Sequence, residues 1–121
     1  MRTRLVMLTL ILAVSASLVP APALGLPWRY ARASWYGPGF YGNRVAWSRG
    51  GLLTPRTLNF AHRTMRFGTR VRFRWHGCTV IATCTDRGPF VRGRTFDLGP
   101  GTARALRFTG VGTVGYTVLA R

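Results

Sequence analysis

The chain has 121 residues, with 18 arginines, no lysine and two acidic residues, for a net charge of +16. That length bounds one domain with a small core, and the charge predicts attraction to polyanions while saying nothing about fold. The arginines come with no nucleic-acid-binding motif, so nucleic acid is not the expected partner.

The first segment reads as an export signal. Met1–Arg4 carries two arginines, Leu5–Leu18 is apolar, and Ala21-Pro22-Ala23 offers a small-residue cleavage site, the pattern of a secretory signal peptide over 1–23. The apolar run is shorter than the roughly 20 residues a membrane span needs, and prolines follow it at once. No cysteine precedes Cys78, so no lipid can be attached near the cleavage site. The expected product is a secreted or envelope-associated monomer of residues 24–121 that is not a lipoprotein. It keeps sixteen arginines against two aspartates, about +14. An exported protein of that charge meets cell-wall polymers first.

In the remaining chain, Ala33-Ser34-Trp35-Tyr36-Gly37 predicts a strand ending in a turn. Pro38–Gly51 is glycine-rich and predicts a loop that exposes Phe40, Tyr41 and Trp47. Thr57–Ala61 predicts a strand leading to His62. Arg70–Trp75 alternates strictly, with Val71, Phe73 and Trp75 on one face and Arg70, Arg72 and Arg74 on the other, as a half-buried strand does. His76-Gly77 supplies a two-residue turn, and Cys78–Thr85 returns as the partner strand of a hairpin. Thr95–Leu98 predicts a short strand, Pro100–Leu106 a short helix begun by proline, and Gly112–Leu119 the last strand. Short strands, turn glycines and one helix predict a mainly β fold, a small closed barrel.

The cysteines and histidines add little chemistry. If Cys78 and Cys84 share one straight strand, six steps place them about 20 Å apart, whereas a disulfide needs Cα atoms within roughly 7 Å. Two buried, unbridged thiols are therefore expected. His62, His76, Cys78 and Cys84 match no zinc-ligand spacing, so no metal and no cofactor is expected.

Both acids of the chain, Asp86 and Asp97, fall within Thr83–Gly99. Asp86 precedes Arg87-Gly88-Pro89-Phe90, where Gly88 and Pro89 make a rigid turn at a strand end. It reads either as a site carboxylate or as a turn cap paired with Arg87. Asp97 stands just before Gly99-Pro100 and reads as the residue that satisfies backbone N–H groups at the helix start.

Four segments in order, Ala33-Ser34-Trp35-Tyr36-Gly37, Phe60-Ala61-His62, Asp86-Arg87-Gly88-Pro89-Phe90 and Asp97-Leu98, resemble the double-psi β-barrel domain of the rare lipoprotein A group. That group is related in fold to expansins and barwin-like proteins. The resemblance implies a six-stranded barrel with a groove across one face and a glycan ligand, usually peptidoglycan or another anionic wall polymer. It implies lytic transglycosylase activity on glycan strands, with Asp86 as the catalytic acid and His62 beside it. Trp35, Tyr36, Tyr41, Trp47, Arg87 and Phe90 would then bind substrate, although core packing competes for Trp35. Relatives often carry a glutamate in an Ala-Asn-Gly-Glu segment, and here Ala46-Trp47-Ser48-Arg49 replaces that acid with arginine.

The acid count separates the chemistries. An ordinary glycoside hydrolase uses two carboxyl groups, and a helix-capping Asp97 would leave one. A lytic transglycosylase can work with one, because the muramyl 6-hydroxyl closes intramolecularly onto the anomeric carbon. Asp86 would have to be protonated for this. Burial against Phe90 and Trp35 favours that form, and Arg87 or a charged His62 opposes it. The competing reading is a non-catalytic, expansin-like wall-binding module.

Overall fold

The structure is a computed structural model that describes residues 27–120. The signal-peptide and cleavage-site expectations lie outside the described residues. The strands are β1 (Arg29–Trp35), β2 (Asn59–Ala61), β3 (Arg70–Trp75), β4 (Cys78–Asp86), β5 (Phe96–Leu98) and β6 (Gly112–Ala120), with one helix, α1 (Pro100–Leu106). They close into a barrel in the order β1-β5-β2-β4-β3-β6, with β6 returning to β1. No helix among the described residues is long and apolar enough to cross a membrane.

The local elements follow local signals. β3 and β4 pair antiparallel from Arg70↔Thr83 to Trp75↔Cys78. His76 (φ 45°) and Gly77 (φ 81°) form the turn between them, both left-handed as a two-residue hairpin turn of this kind requires. In α1, Pro100 opens the first turn, and the left-handed Arg107 closes the last by donating its N–H to Ala103 and Arg104. β1 begins four residues before the expected start, because Arg29–Arg32 pairs with β6 despite its polar composition.

The core is a stack of aromatic rings inside the barrel. Phe60, Phe73 and Phe96 meet edge to face at 5.1, 5.6 and 5.0 Å between centroids. Tyr116 packs on Phe96, and Trp75 on Phe108, in the same manner. Val71, Leu98, Leu106 and Val114 fill the remaining space. Trp35 does not join this core; it stands 37% exposed, contrary to the packing alternative.

Cys78 and Cys84 lie on the same continuous strand, both as free thiols. Cys84 is buried as expected, but Cys78, at the hairpin end, is only half-buried.

Two parallel pairings, β1 with β5 and β2 with β4, join segments distant in the chain. The parallel β2–β4 pairing and the antiparallel β2–β5 pairing bring both aspartates to one end of the sheet.

Candidate active site

Ala61 is the reference point. It is in register with Asp86 of β4 on one side and with Asp97 of β5 on the other. Two strand spacings put the two Asp Cα atoms about 10 Å apart. All three residues line one cavity of about 240 Å³ with Tyr36, Phe40, Asn43, Arg44, Val45, Leu53 and Arg87. A methyl group at position 61 leaves the space between the carboxyl groups open. A longer side chain there would fill it.

Asp86 is held by donors from four places. Its Oδ1 accepts from the Ala46 N–H at 2.8 Å; its Oδ2 accepts from Thr85 Oγ1 at 2.8 Å, Asn59 Nδ2 at 3.3 Å and Tyr36 Oη at 3.4 Å. Asn59 is the hub of this network. It is fully buried, and its amide nitrogen faces Tyr36 Oη, Thr85 Oγ1 and Asp86. Its backbone is clamped in turn, because its carbonyl accepts from Thr102 Oγ1 of α1 at 2.7 Å and from the Gly99 N–H at 2.9 Å. Gly99 has to be glycine, since a Cβ there would stand 1.9 Å from Asn59 Oδ1. Burial, and then the Asp86 charge, push the Tyr36 phenol well above its ordinary range. Tyr36 therefore serves as a neutral hydroxyl.

Asp97 is not a helix cap. The N-cap of α1 is Gly99, and no side chain bonds there. Asp97 instead accepts from Ser34 Oγ at 3.1 Å, its register partner on β1. Burial pushes its carboxyl above the usual carboxylate range, against the opposing Ser34 hydrogen bond and Arg94 charge. The structural role read from sequence is thus replaced by a place in the cavity.

Arg87 is engaged by two backbone carbonyls and an aromatic ring. Its Nη1 donates to the carbonyls of His62 and Met65 at 3.2 and 2.6 Å, and its guanidinium stacks 3.9 Å from the Phe67 ring centroid. It lines the cavity edge with its charged head engaged away from Asp86. His62 also lies beside the cavity and not in its lining. Its Nδ1 accepts from the Thr64 and Met65 N–H groups at 3.1 and 2.9 Å, so the ring closes a turn. Burial, with Arg63 and Arg87 nearby, pushes its pKa below the ordinary value and favours the neutral ring.

The predicted aromatics divide. Tyr36 lines the cavity, and Phe40 packs edge-on to it at 5.8 Å. Trp35, Tyr41 and Trp47 are not among the lining residues. Trp47 and Tyr41 are half-buried, contrary to the expected exposure; the Trp47 indole lies over Gly68, where a Cβ would meet it at 3.3 Å. The 46–49 loop nevertheless reaches the site, through the Ala46 N–H. Phe90 is 80% exposed and lines a separate hollow with Arg63, Val91, Arg92 and Gly93. Gly88 sits at φ 127°, a conformation that favours glycine, and precedes a cis Pro89 in the turn that carries Phe90. Sequence reading missed Ser34, Asn59 and Thr85. Their signal is that all three are polar residues within strands, buried in the structure where an unsatisfied group would be costly.

Residues 30–118 match the family model described as lytic transglycolase. A probable endolytic peptidoglycan transglycosylase RlpA of Synechocystis is 45% identical over 91 residues, 72% of this chain and 28% of that protein. The endolytic peptidoglycan transglycosylase RlpA of Campylobacter jejuni is 37% identical over 83 residues, 67% of this chain and 30% of that protein. The chain thus spans under a third of the length of these relatives. Among solved structures, the Clavibacter michiganensis expansin superposes with a TM-score of 0.60 at 21% identity, over 77% of this chain and 50% of that one, a likeness of fold. A Streptomyces papain inhibitor does so with a TM-score of 0.54 at 14% identity, over 77% of this chain and 94% of that one. The chain is an RlpA-like double-psi β-barrel and belongs to the lytic transglycolase family.

Proposed function

We propose that this chain is an exported cell-wall enzyme that cleaves the MurNAc–GlcNAc bond of peptidoglycan glycan strands by lytic transglycosylation. The observation that carries the reading is the carboxyl pair in one cavity, Asp86 and Asp97 on either side of Ala61. Similarity to relatives named as endolytic peptidoglycan transglycosylases supports peptidoglycan as the substrate.

The sequence assigned the proton to Asp86 alone, and the cavity supports a division of labour. Asp97, whose burial favours the neutral acid, protonates the leaving glycosidic oxygen. Asp86, accepting hydrogen bonds from four donors, is placed to receive the proton of the muramyl 6-hydroxyl as that oxygen bonds to the anomeric carbon. The glycosidic bond breaks, an anhydro sugar forms, and no water is consumed. Tyr36 and Phe40 offer ring surface to the sugar beside the carboxyls. His62 acts by shaping the turn that carries Arg87's contacts.

The same pair supports a second reading. A glycoside hydrolase also uses two carboxyl groups, one as acid and one that activates water or attacks. The expansin-like, non-catalytic reading draws on fold alone; a mutant of the Clavibacter michiganensis expansin forms a crystalline complex with cellohexaose. Incubation with purified, peptide-stripped glycan strands separates the three. Anhydromuramyl ends support transglycosylation, reducing ends support hydrolysis, and binding without new ends supports the wall-binding module.

A further inference from the structure

The sequence has no carboxylate side chain besides Asp86 and Asp97, and both lie in the cavity at the β1 C-terminal end. No other side chain of this sequence can therefore offer a carboxylate to an arginine elsewhere on the barrel. Arg74 is one arginine that is built into a site away from that cavity.

That site lies at the opposite end of β1, in a depression of about 280 Å³ lined in part by Tyr30, Arg74, Trp75, His76 and Gly115. Tyr30 and Tyr36 are six residues apart on an extended path, which separates this depression from the carboxyl cavity by about 20 Å. The Arg74 guanidinium carbon lies 4.2 Å from the Trp28 ring centroid and 5.9 Å from that of Tyr30. Its Nη2 donates to Tyr30 Oη at 2.6 Å. One long cationic side chain is thus held against two rings and a hydroxyl, which lowers the ordering entropy left to lose when a ligand arrives. Gly115 makes the floor. A Cβ there would stand 3.4 Å from Arg74 Nε, from the Trp28 ring and from the Tyr30 ring. Tyr30 keeps 62% of its surface exposed, with an apolar face and a hydroxyl edge available.

We propose that this depression is a second binding site, for a carboxylate-bearing sugar unit of a wall glycan. The Tyr30 ring would take the face of the sugar and the preorganised Arg74 fork its carboxylate, the geometry for which guanidinium is suited. The site would hold the polymer while the carboxyl cavity at the other end of the barrel acts, so that long strands bind through two contacts and short fragments through one. The ligand class rests on the function proposed above, and the test separates the two.

Binding of peptide-stripped glycan strands is measured for the unaltered protein and for Tyr30→Ala, Arg74→Gln and Arg74→Lys, with Arg104→Gln as a charge control on an exposed helix position. Poly(glycerol phosphate) serves as the phosphate-bearing competitor. Tyr30→Ala and both Arg74 variants are expected to bind long strands about two- to fivefold more weakly, the effect of losing one exposed ring–cation contact. Arg104→Gln is expected to change binding less than any of them, and cleavage of short soluble fragments to stay unchanged in Tyr30→Ala. Equal losses in Arg104→Gln and Arg74→Gln would assign the effect to net charge and overturn the site. So would undiminished binding by Tyr30→Ala, whose exposed position makes unfolding an unsuitable explanation. Tighter binding of poly(glycerol phosphate) than of glycan strands would overturn the ligand class. Absence of glycan binding by the unaltered protein would overturn this site and the proposed function together, whereas loss of cleavage with binding retained would overturn only the latter.

Discussion

Replacing Asp97 by asparagine distinguishes a carboxyl working in the cavity from one that merely starts a helix. A helix cap would make the change cost about 1 kcal/mol at any pH where the aspartate is ionised. The structure removes that contribution, because Gly99 caps α1 and no side chain bonds its first turn. The one polar contact of Asp97, from Ser34 Oγ at 3.1 Å, survives the change, since an amide oxygen accepts as a carboxylate does. What disappears is a half-buried charge whose pKa burial has raised. A carboxyl with a raised folded pKa contributes stability that is fully present below its unfolded value, about 3.9, and is lost as pH rises through the folded value. Asp97→Asn should therefore match the parent within about 0.5 kcal/mol under acid conditions, and equal or exceed it in stability at neutral pH. Urea unfolding at both conditions measures this, and cleavage assayed alongside should be lost. A loss of about 1 kcal/mol at neutral pH, with cleavage intact, would refute the reasoning.

Three further outcomes follow from the same geometry. Asn59→Ala should remove most of the cleavage and about 1–3 kcal/mol of stability, because the buried Thr85 and half-buried Tyr36 hydroxyls lose the amide that donates to both; unfolding and product assays on one preparation check both. Phe60→Ala opens a cavity among Phe73, Phe96 and the β2 backbone and should cost about 3–5 kcal/mol by urea unfolding. His62 is held neutral with a lowered pKa, so stability is fully present above the ordinary histidine value, about 6.5, and is lost as pH falls through the folded value. A His62→Asn variant should show a flatter stability profile over that window, and an unchanged slope would contradict it.

The parts of the fold legible in the sequence are those encoded locally. The Arg70–Trp75 alternation, the His76-Gly77 turn and the Pro100 helix start each place their element at the observed bounds, because a few adjacent residues carry the whole signal. The position of Asp86 was also legible, as a strand end just ahead of Arg87 and the glycine-proline turn. Asp97 was not, because its role comes from pairing with Ser34, 63 residues earlier, across a parallel β1–β5 ladder. Asn59 was hidden in the same way: its partners Tyr36, Thr85 and Asp86 come from two other segments. Trp47 was misplaced because the bare surface of Gly68 that receives it belongs to the turn before β3. Contacts between segments distant in the chain decided each of these cases, and for Asp97 the strand register that makes them is not written in any single stretch of chain.

The central claim, that one cavity performs intramolecular transglycosylation with a carboxyl pair, is tested by mass analysis of glycan strands after incubation with the parent, Asp86→Asn and Asp97→Asn proteins. The parent is expected to generate anhydromuramyl ends, lighter by one water than reducing ends. Each variant should do so about a hundred- to ten-thousandfold more slowly, the usual effect of removing a positioned acid or base, while still binding the strands. Reducing ends from the parent, or anhydro ends formed equally fast by either variant, would contradict it.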